Sequence, residues 1–227
     1  MNNSDFASYK ATFRSAVRAS LASAPLRSLD EAGFPAYAHP NPAIGWLFWQ
    51  RLRKAMEFIE RGAPYRQALD FGCGSGVMLP FLARHAEKVH AIDVDLEPLQ
   101  KMKEQMTFPE NVEVHLGSAS TLGSWPASSI DLITALDVLE HVDDLPGTLN
   151  ALLRLLTPGA ALLVSGPTEN LFYKIGRRLA GPEFSGAYHE RGIGVVRRQL
   201  AGRRRVRTVA TLYWPIPLFE IFSAQGA

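Results

Sequence analysis

Residues able to do chemistry gather at four places in this chain. Asp70 closes a short apolar run and leads into Gly72, Cys73, Gly74, Ser75 and Gly76, with glycine at alternate positions. That pattern reads as a strand, a tight turn and a helix start. Glycine tolerates positive φ and leaves the backbone bare where a ligand would lie across it. The helix expected over 77–86 then aims its free N–H groups back at the turn. Asp93, in Ala91-Ile92-Asp93-Val94-Asp95, closes a second apolar run, at about the interval where an acid reaches a ribose diol. Glu140-His141 sets an acid beside an imidazole that titrates near neutrality, which suits a general base or a metal pair. His189, within Tyr188-His189-Glu190-Arg191, is a second base candidate, against the plainer reading of a bystander on the surface.

The glycine spacing separates two ligand classes. A dinucleotide fingerprint wants Gly-x-Gly-x-x-Gly, and counted from Gly72 and Gly74 its third glycine falls on Val77. The acid at Asp70 would also repel a pyrophosphate, whereas it suits a ligand with a cationic amino-acid end. On these residues the stretch Leu69-Asp70-Phe71-Gly72-Cys73-Gly74-Ser75-Gly76 resembles motif I of the class I S-adenosylmethionine (SAM) dependent methyltransferases. The resemblance implies SAM as cofactor, with Asp70, Gly72, Cys73, Gly74 and Gly76 around it. It makes Asp93 the ribose acid with Val94 beside it, and leaves Asp95 to cap the next helix.

Further along, the resemblance covers about residues 41–165. Leu116-Gly117-Ser118-Ala119 stands where many family members carry an acid for the adenine amino group; Ser118 departs from that, and adenine contact falls to backbone N–H groups near Ser118 and Ala119. Leu136, in the segment 130–142, would line the methionine end of the cofactor. Leu156-Thr157-Pro158-Gly159-Ala160 matches the family's turn before the fifth strand. Asp137, Glu140 and His141 match the acid-x-x-Glu-His that is associated with a divalent metal in ubiquinone-pathway O-methyltransferases. The same segment is similar to that of many methyltransferases that bind no metal, and no metal is counted among the cofactors. In Asn41-Pro42-Ala43-Ile44 the arginine of that group's Asn-Pro-x-Arg is replaced by Ile44.

These residues need a scaffold, and 227 residues with 47% hydrophobic content can build one. Phe6, Tyr9, Phe13, Val17 and Leu21 recur at helical steps over 4–23. A second helix is expected from Pro42 to about Arg61, carrying Trp46, Phe48 and Trp49. Strands are expected at 66–71, 88–93, 112–116, 130–135 and 160–165, with helices at 77–86, 96–106 and 144–156, so strand and helix alternate as in a parallel sheet. Arg205 to Trp214 and Leu218 to Ala224 flank Pro215-Ile216-Pro217 and read as a closing antiparallel hairpin. The expected fold is α/β: a doubly wound, seven-stranded, mostly parallel sheet. Residues 1–62 form an N-terminal helical lid or packed extension, and 63–227 the SAM-binding core.

Charge and absent motifs narrow the partners. The net charge is +2, yet residues 171–207 hold ten Lys and Arg against two Glu, a local +8. Leu171 to Leu179 fits either an amphipathic segment lying on an anionic membrane or a solvated helix beside the sheet. The Asp/Asn-Pro-Pro-aromatic motif of amino-methylating nucleic-acid enzymes is absent after the fourth strand, where Leu136-Asp137-Val138-Leu139 stands. Cytosine C5 methylation needs a cysteine nucleophile, and the single cysteine, Cys73, lies in the turn. Nucleic acid is therefore disfavoured, and a small-molecule acceptor is expected, most readily a hydroxyl oxygen of an aromatic or lipidic metabolite. No leader and no span-length apolar run is read, which gives a cytoplasmic expectation. A SAM-binding module without catalysis and an NAD(P)-dependent oxidoreductase remain the rival readings.

Overall fold

In a computed structural model, residues 2–23, 37–39, 41–168, 192–213 and 217–225 are described. Seven strands form one sheet in the order β3-β2-β1-β4-β5-β7-β6. The strands are β1 (Tyr65–Phe71), β2 (Ala86–Asp93), β3 (Val112–Leu116), β4 (Ile130–Leu136), β5 (Leu156–Pro167), β6 (Val206–Leu212) and β7 (Phe219–Gln225). The first five run parallel, and β7 pairs antiparallel with both β5 and β6. The closing hairpin is thus as expected, and its reversed strand inserts between β5 and β6. The strand order reverses beside β1, where doubly wound sheets open a crevice beyond the carboxyl ends.

Helices cover both faces. They are α1 (Asn3–Ser23), α2 (Pro42–Gly62), α3 (Leu79–Leu82), α4 (Glu97–Gln105), α5 (Leu145–Leu155) and α6 (Ile193–Ala201). Phe13 and Val17 of α1, Trp49, Leu52, Met56 and Ile59 of α2, and Leu99 and Met102 of α4 share one core with the underside of β1 and β2. Leu145, Leu149 and Leu152 of α5, with Val196 and Leu200 of α6, build a second core on the opposite face. The helical steps read from α1 hold: Phe6, Phe13 and Val17 are buried, and Tyr9 and Leu21 pack partly buried against the same core. Of the α2 aromatics, Trp49 is fully buried, Phe48 packs on Phe219, and Trp46 stays half exposed against Tyr213.

Two elements differ from expectation for local reasons. The helix after the glycine turn is four residues long instead of the ten of 77–86. Pro80 lacks an N–H and fits only the first helical turn. At the other end the Asn111 amide donates to the carbonyls of Ala83 and Ala86, both at 3.0 Å, and so takes carbonyls that a longer helix would use. Strand β5 begins four residues early because Leu156 pairs with Ile130 before a register shift, with Gly159 at φ +78° inside the irregularity. Gly159 accepts that conformation without strain.

Candidate functional site

Strand ends set the site. Asp70 lies in register between Ala91 of β2 and Thr134 of β4. Its side chain is 4% exposed and accepts a hydrogen bond from Thr134 Oγ1 at 2.6 Å. Burial pushes the carboxyl from 3.8 up to about 7; the Thr134 bond pulls it back down, and the nearby Asp93 charge adds to the rise. Asp93 ends β2. Its Oδ2 accepts the Gly74 N–H at 2.7 Å and its Oδ1 the Asp95 N–H at 3.2 Å. A carboxylate offers about four lone-pair positions, so acceptor capacity for a diol remains. Asp95 Oδ1 in turn accepts the Glu97 N–H at 2.9 Å, but the N-cap position of α4 expected for Asp95 falls to Leu96, which makes no side-chain cap bond.

The glycine turn is stitched to β2. The N–H groups of Gly72 and Cys73 both donate to the Ile92 carbonyl, at 2.9 and 3.2 Å. Gly72 has φ +75° and Gly76 φ +76°. A Cβ on Gly72 would stand 2.4 Å from Val138 Cγ2, and one on Gly76 2.6 Å from Leu99 Cδ1. The positive φ expected from the sequence is thus present, and close protein side chains add a second reason for glycine at both positions. The Gly76 N–H donates to the Cys73 carbonyl at 2.8 Å, and the Leu79 N–H to the Gly76 carbonyl at 3.0 Å, so the link into the short α3 closes on itself. Cys73 is buried, and burial with the Asp70 and Asp93 charges pushes its thiol up, which leaves an inert neutral side chain.

Beyond β3, the Gly117 N–H donates to the Asp93 carbonyl at 2.8 Å, which brings Ser118 and Ala119 beside Asp93. The Ser118 N–H donates to Thr121 Oγ1 at 3.3 Å, and the Ser118 and Ser120 hydroxyls lie 3.0 Å apart. Val94 is 73% exposed at the rim.

Strand β4 ends at the half-buried Leu136, followed by Asp137 at φ +57°. Asp137 accepts a hydrogen bond from Ser165 Oγ at 3.0 Å and forms an ion pair with Arg51 of α2. Arg51 is 3% exposed, and its guanidinium carbon lies 5.3 Å from the ring centres of both Phe48 and Phe219. Glu140 is buried, with Oε1 3.3 Å from where a Cβ on Gly166 would stand, while the His141 side chain is exposed. Among the described residues the cluster close enough to share a metal ion is not Asp137, Glu140 and His141 but lies on β2 and β3. His189 and the segment 171–179 lie outside the described residues.

A family model described as a methyltransferase domain matches residues 46–207. The chain belongs to the methyltransferase-domain family. Relatives include a ubiquinone biosynthesis O-methyltransferase of Psychrobacter cryohalolentis, 29% identical over 124 residues, which are 52% of this chain and 48% of that protein. Another of that name, from Pseudoalteromonas translucida, is 34% identical over 101 residues, 44% of this chain and 43% of that one. The chain spans about half the length of the curated relatives it matches. Among solved structures, the N-methyltransferase NodS of Bradyrhizobium japonicum, in complex with S-adenosyl-L-homocysteine, aligns over 95% of this chain and 98% of its own with a TM-score of 0.62 at 16% identity. A SAM-dependent methyltransferase from Archaeoglobus fulgidus covers 78% of this chain and 94% of its own, with a TM-score of 0.58 at 16% identity. At such identities the likeness is one of fold.

The donor set of this methyltransferase domain fits SAM. A buried acid at the end of β1 stands where a cationic amino group can take its charge, and Asp93 keeps lone pairs for a diol one strand away. Three residues that help to shape the site escaped the sequence reading. Arg51 sits between Phe48 and Ala55 on one helical face, an inward position where a lone arginine is a signal. Thr134 reveals itself only through the β1–β4 register. Tyr9 of α1 donates its hydroxyl to the Val77 carbonyl just past the turn, a contact 68 residues distant in sequence.

Proposed function

We propose that this chain transfers a methyl group from SAM to a hydroxyl oxygen of a small aromatic or lipidic acceptor. The observation that carries the reading is the pairing of the buried Asp70 carboxyl with the Asp93–Gly74 bond across the ends of β1 and β2. The ubiquinone-pathway names of relatives at about 30% identity support a hydroxyl acceptor. In this reading Asp93 accepts the ribose hydroxyls, with Val94, Ser118 and Ala119 around the adenine, and Gly72, Cys73, Gly74 and Gly76 form the floor. Asp70 holds the ammonium end, and Leu136 lines the methionine chain.

Bound SAM supplies an electrophilic methyl on a sulfonium, with a neutral thioether as leaving group. The protein's task is alignment and exclusion of water, a proximity effect on the order of several kcal/mol. The acceptor O–H must lose its proton as the O–CH3 bond forms. His141, exposed beside the Asp137 turn, is the base in this reading, with Glu140 buried next to it and His189 as the second candidate. The ion pair of Arg51 with Asp137, backed by the rings of Phe48 and Phe219 against the guanidinium, holds the turn that carries Glu140 and His141.

The test is transfer of labelled methyl from SAM to a panel of catechols, phenols, primary amines and carboxylates. Labelling of phenolic oxygen, reduced by at least about tenfold in His141→Ala when a general base contributes its usual 100-fold or more, is expected. Labelling confined to amines would overturn the oxygen assignment. Tight SAM binding with no labelled acceptor would favour the non-catalytic module.

A further inference from the structure

Outside the cofactor crevice, the edge of the sheet carries a cluster that the methyltransferase reading leaves unused. His90 of β2 is the register partner of Glu113 of β3, and His115 follows two residues on. Side chains two apart in a strand share a face, so His90, Glu113 and His115 all stand on the same side of adjacent strands. His90 Nδ1 lies 3.2 Å from His115 Nε2 and 3.5 Å from Glu113 Oε2. One ligand atom from each of the three lies within 4.8 Å of the others. Two nitrogens each about 2.0–2.1 Å from a tetrahedral zinc ion stand roughly 3.3–3.4 Å apart, so the side chains already hold the spacing of a coordination edge.

The geometry points to a divalent transition-metal site formed by His90, Glu113 and His115, of the class that takes Zn2+, Co2+ or Ni2+.

The surroundings supply what such a site requires. Gln67 Oε1 stands 3.1 Å from His90 Nε2 and accepts a hydrogen bond from it, so His90 Nδ1 carries the lone pair and accepts from His115 Nε2, a hydrogen bond that a metal ion replaces as His115 gives up that proton. A hydrogen-bonded far nitrogen is the usual means by which a metal-binding imidazole is oriented. Trp125 packs against both imidazoles, its ring centre 4.8 Å from that of His90 and 4.9 Å from that of His115, and restrains their rotation. Imidazole nitrogen with a single carboxylate disfavours Mg2+ and Ca2+, which demand oxygen. Three protein ligands leave a fourth position to water, and Glu113, half exposed, opens toward solvent. Lys88 Nζ holds Glu113 Oε2 at 2.6 Å. It is the competitor that a metal ion must displace.

The site is independent of the cofactor reading. The test titrates full-length protein freed of any histidine tag with Co2+, followed by visible d–d absorption and then by displacement with Zn2+. One Co2+ per chain with tetrahedral absorption is expected. Binding should weaken by at least about tenfold in His115→Ala, and by about tenfold in Gln67→Ala, as outer partners of metal ligands do. Lys88→Ala should tighten it by removing the competitor. Circular dichroism and melting of each variant distinguish a lost ligand from a lost fold, and Glu113→Gln, which keeps the volume, provides a second variant. No absorption on adding Co2+, uptake unchanged in His115→Ala and Glu113→Gln, or uptake lost on Lys88→Ala would each overturn the assignment.

Discussion

Asp70 is the residue whose chemistry is most altered by its surroundings. Its carboxyl titrates at about 7 because burial disfavours the charge. Between about pH 4 and about pH 7 the folded protein therefore holds a proton that the unfolded chain has released, and stability falls as pH rises through that window. Above it the buried charge is a standing cost, and the displacement from 3.8 to about 7 corresponds to roughly 4 kcal/mol at most. Asp70→Asn should accordingly raise the melting temperature of the ligand-free protein at about pH 8, and the advantage should shrink toward about pH 4. The same variant should bind SAM more weakly, since the ammonium end loses its counter-charge. Melting curves across that range check the sign; a variant less stable than wild type at about pH 8 would show that the Asp70 charge supports the fold. The acid was legible from its place before the first glycine. Its raised titration was not, because that arises from burial beneath neighbouring strands and from the Asp93 charge, against the pull of the Thr134 hydrogen bond, surroundings that only the folded sheet supplies.

At the scale of elements, the glycine turn owes its composition to packing from two sides. Val138 of the loop after β4 fills the space over Gly72, and Leu99 of α4 with Phe108 fills that over Gly76. Gly76→Ala combines positive φ, costing about 1–2 kcal/mol, with an overpacked contact costing about 1–3 kcal/mol. Gly159 has nearly the same φ, +78°, with nothing within 4 Å of an added Cβ, so Gly159→Ala carries the backbone cost alone. Chemical denaturation should show Gly76→Ala less stable than Gly159→Ala by about 1–3 kcal/mol. Equal losses would mean that Leu99 and Phe108 yield freely. The motif's spacing was plain in the sequence, yet the neighbours that enforce it lie up to 66 residues away. The same holds for α3, where Pro80 was visible but the Asn111 amide that takes the helix-end carbonyls was not. Long amphipathic helices and apolar strands, by contrast, were legible because their periods repeat over many residues.

Over the whole molecule, the sheet order and the inserted antiparallel β7 set the crevice beyond β1, β2 and β4. Helix α1 packs along α4, with Ser20 Oγ donating to the Lys101 carbonyl at 3.3 Å, and Tyr9 reaches the backbone beside the glycine turn. Among the described residues no helix is long and apolar enough to cross a membrane. The alternation of strand and helix made this architecture legible from 66 onward. Where α1 lodges was not, since a periodic apolar face says that a helix is covered without saying by what. The basic stretch is described only from residue 192, where Arg197 of α6 donates to Thr208 Oγ1 at 2.9 Å and forms an ion pair with Glu220 of β7. Part of that charge thus ties α6 to the β6–β7 hairpin.

The central claim is that the crevice beside Asp70 and Asp93 binds SAM, and calorimetric titration tests it most directly. SAM, its demethylated product and NAD(H) are each titrated into the wild-type protein and into Asp93→Ala. The account predicts micromolar binding of SAM or its product, weakened at least about tenfold in the variant, because charge-assisted hydrogen bonds to a diol are worth about 1.5–3 kcal/mol. Binding of NAD(H) in place of SAM, or SAM affinity unchanged by Asp93→Ala, would contradict it.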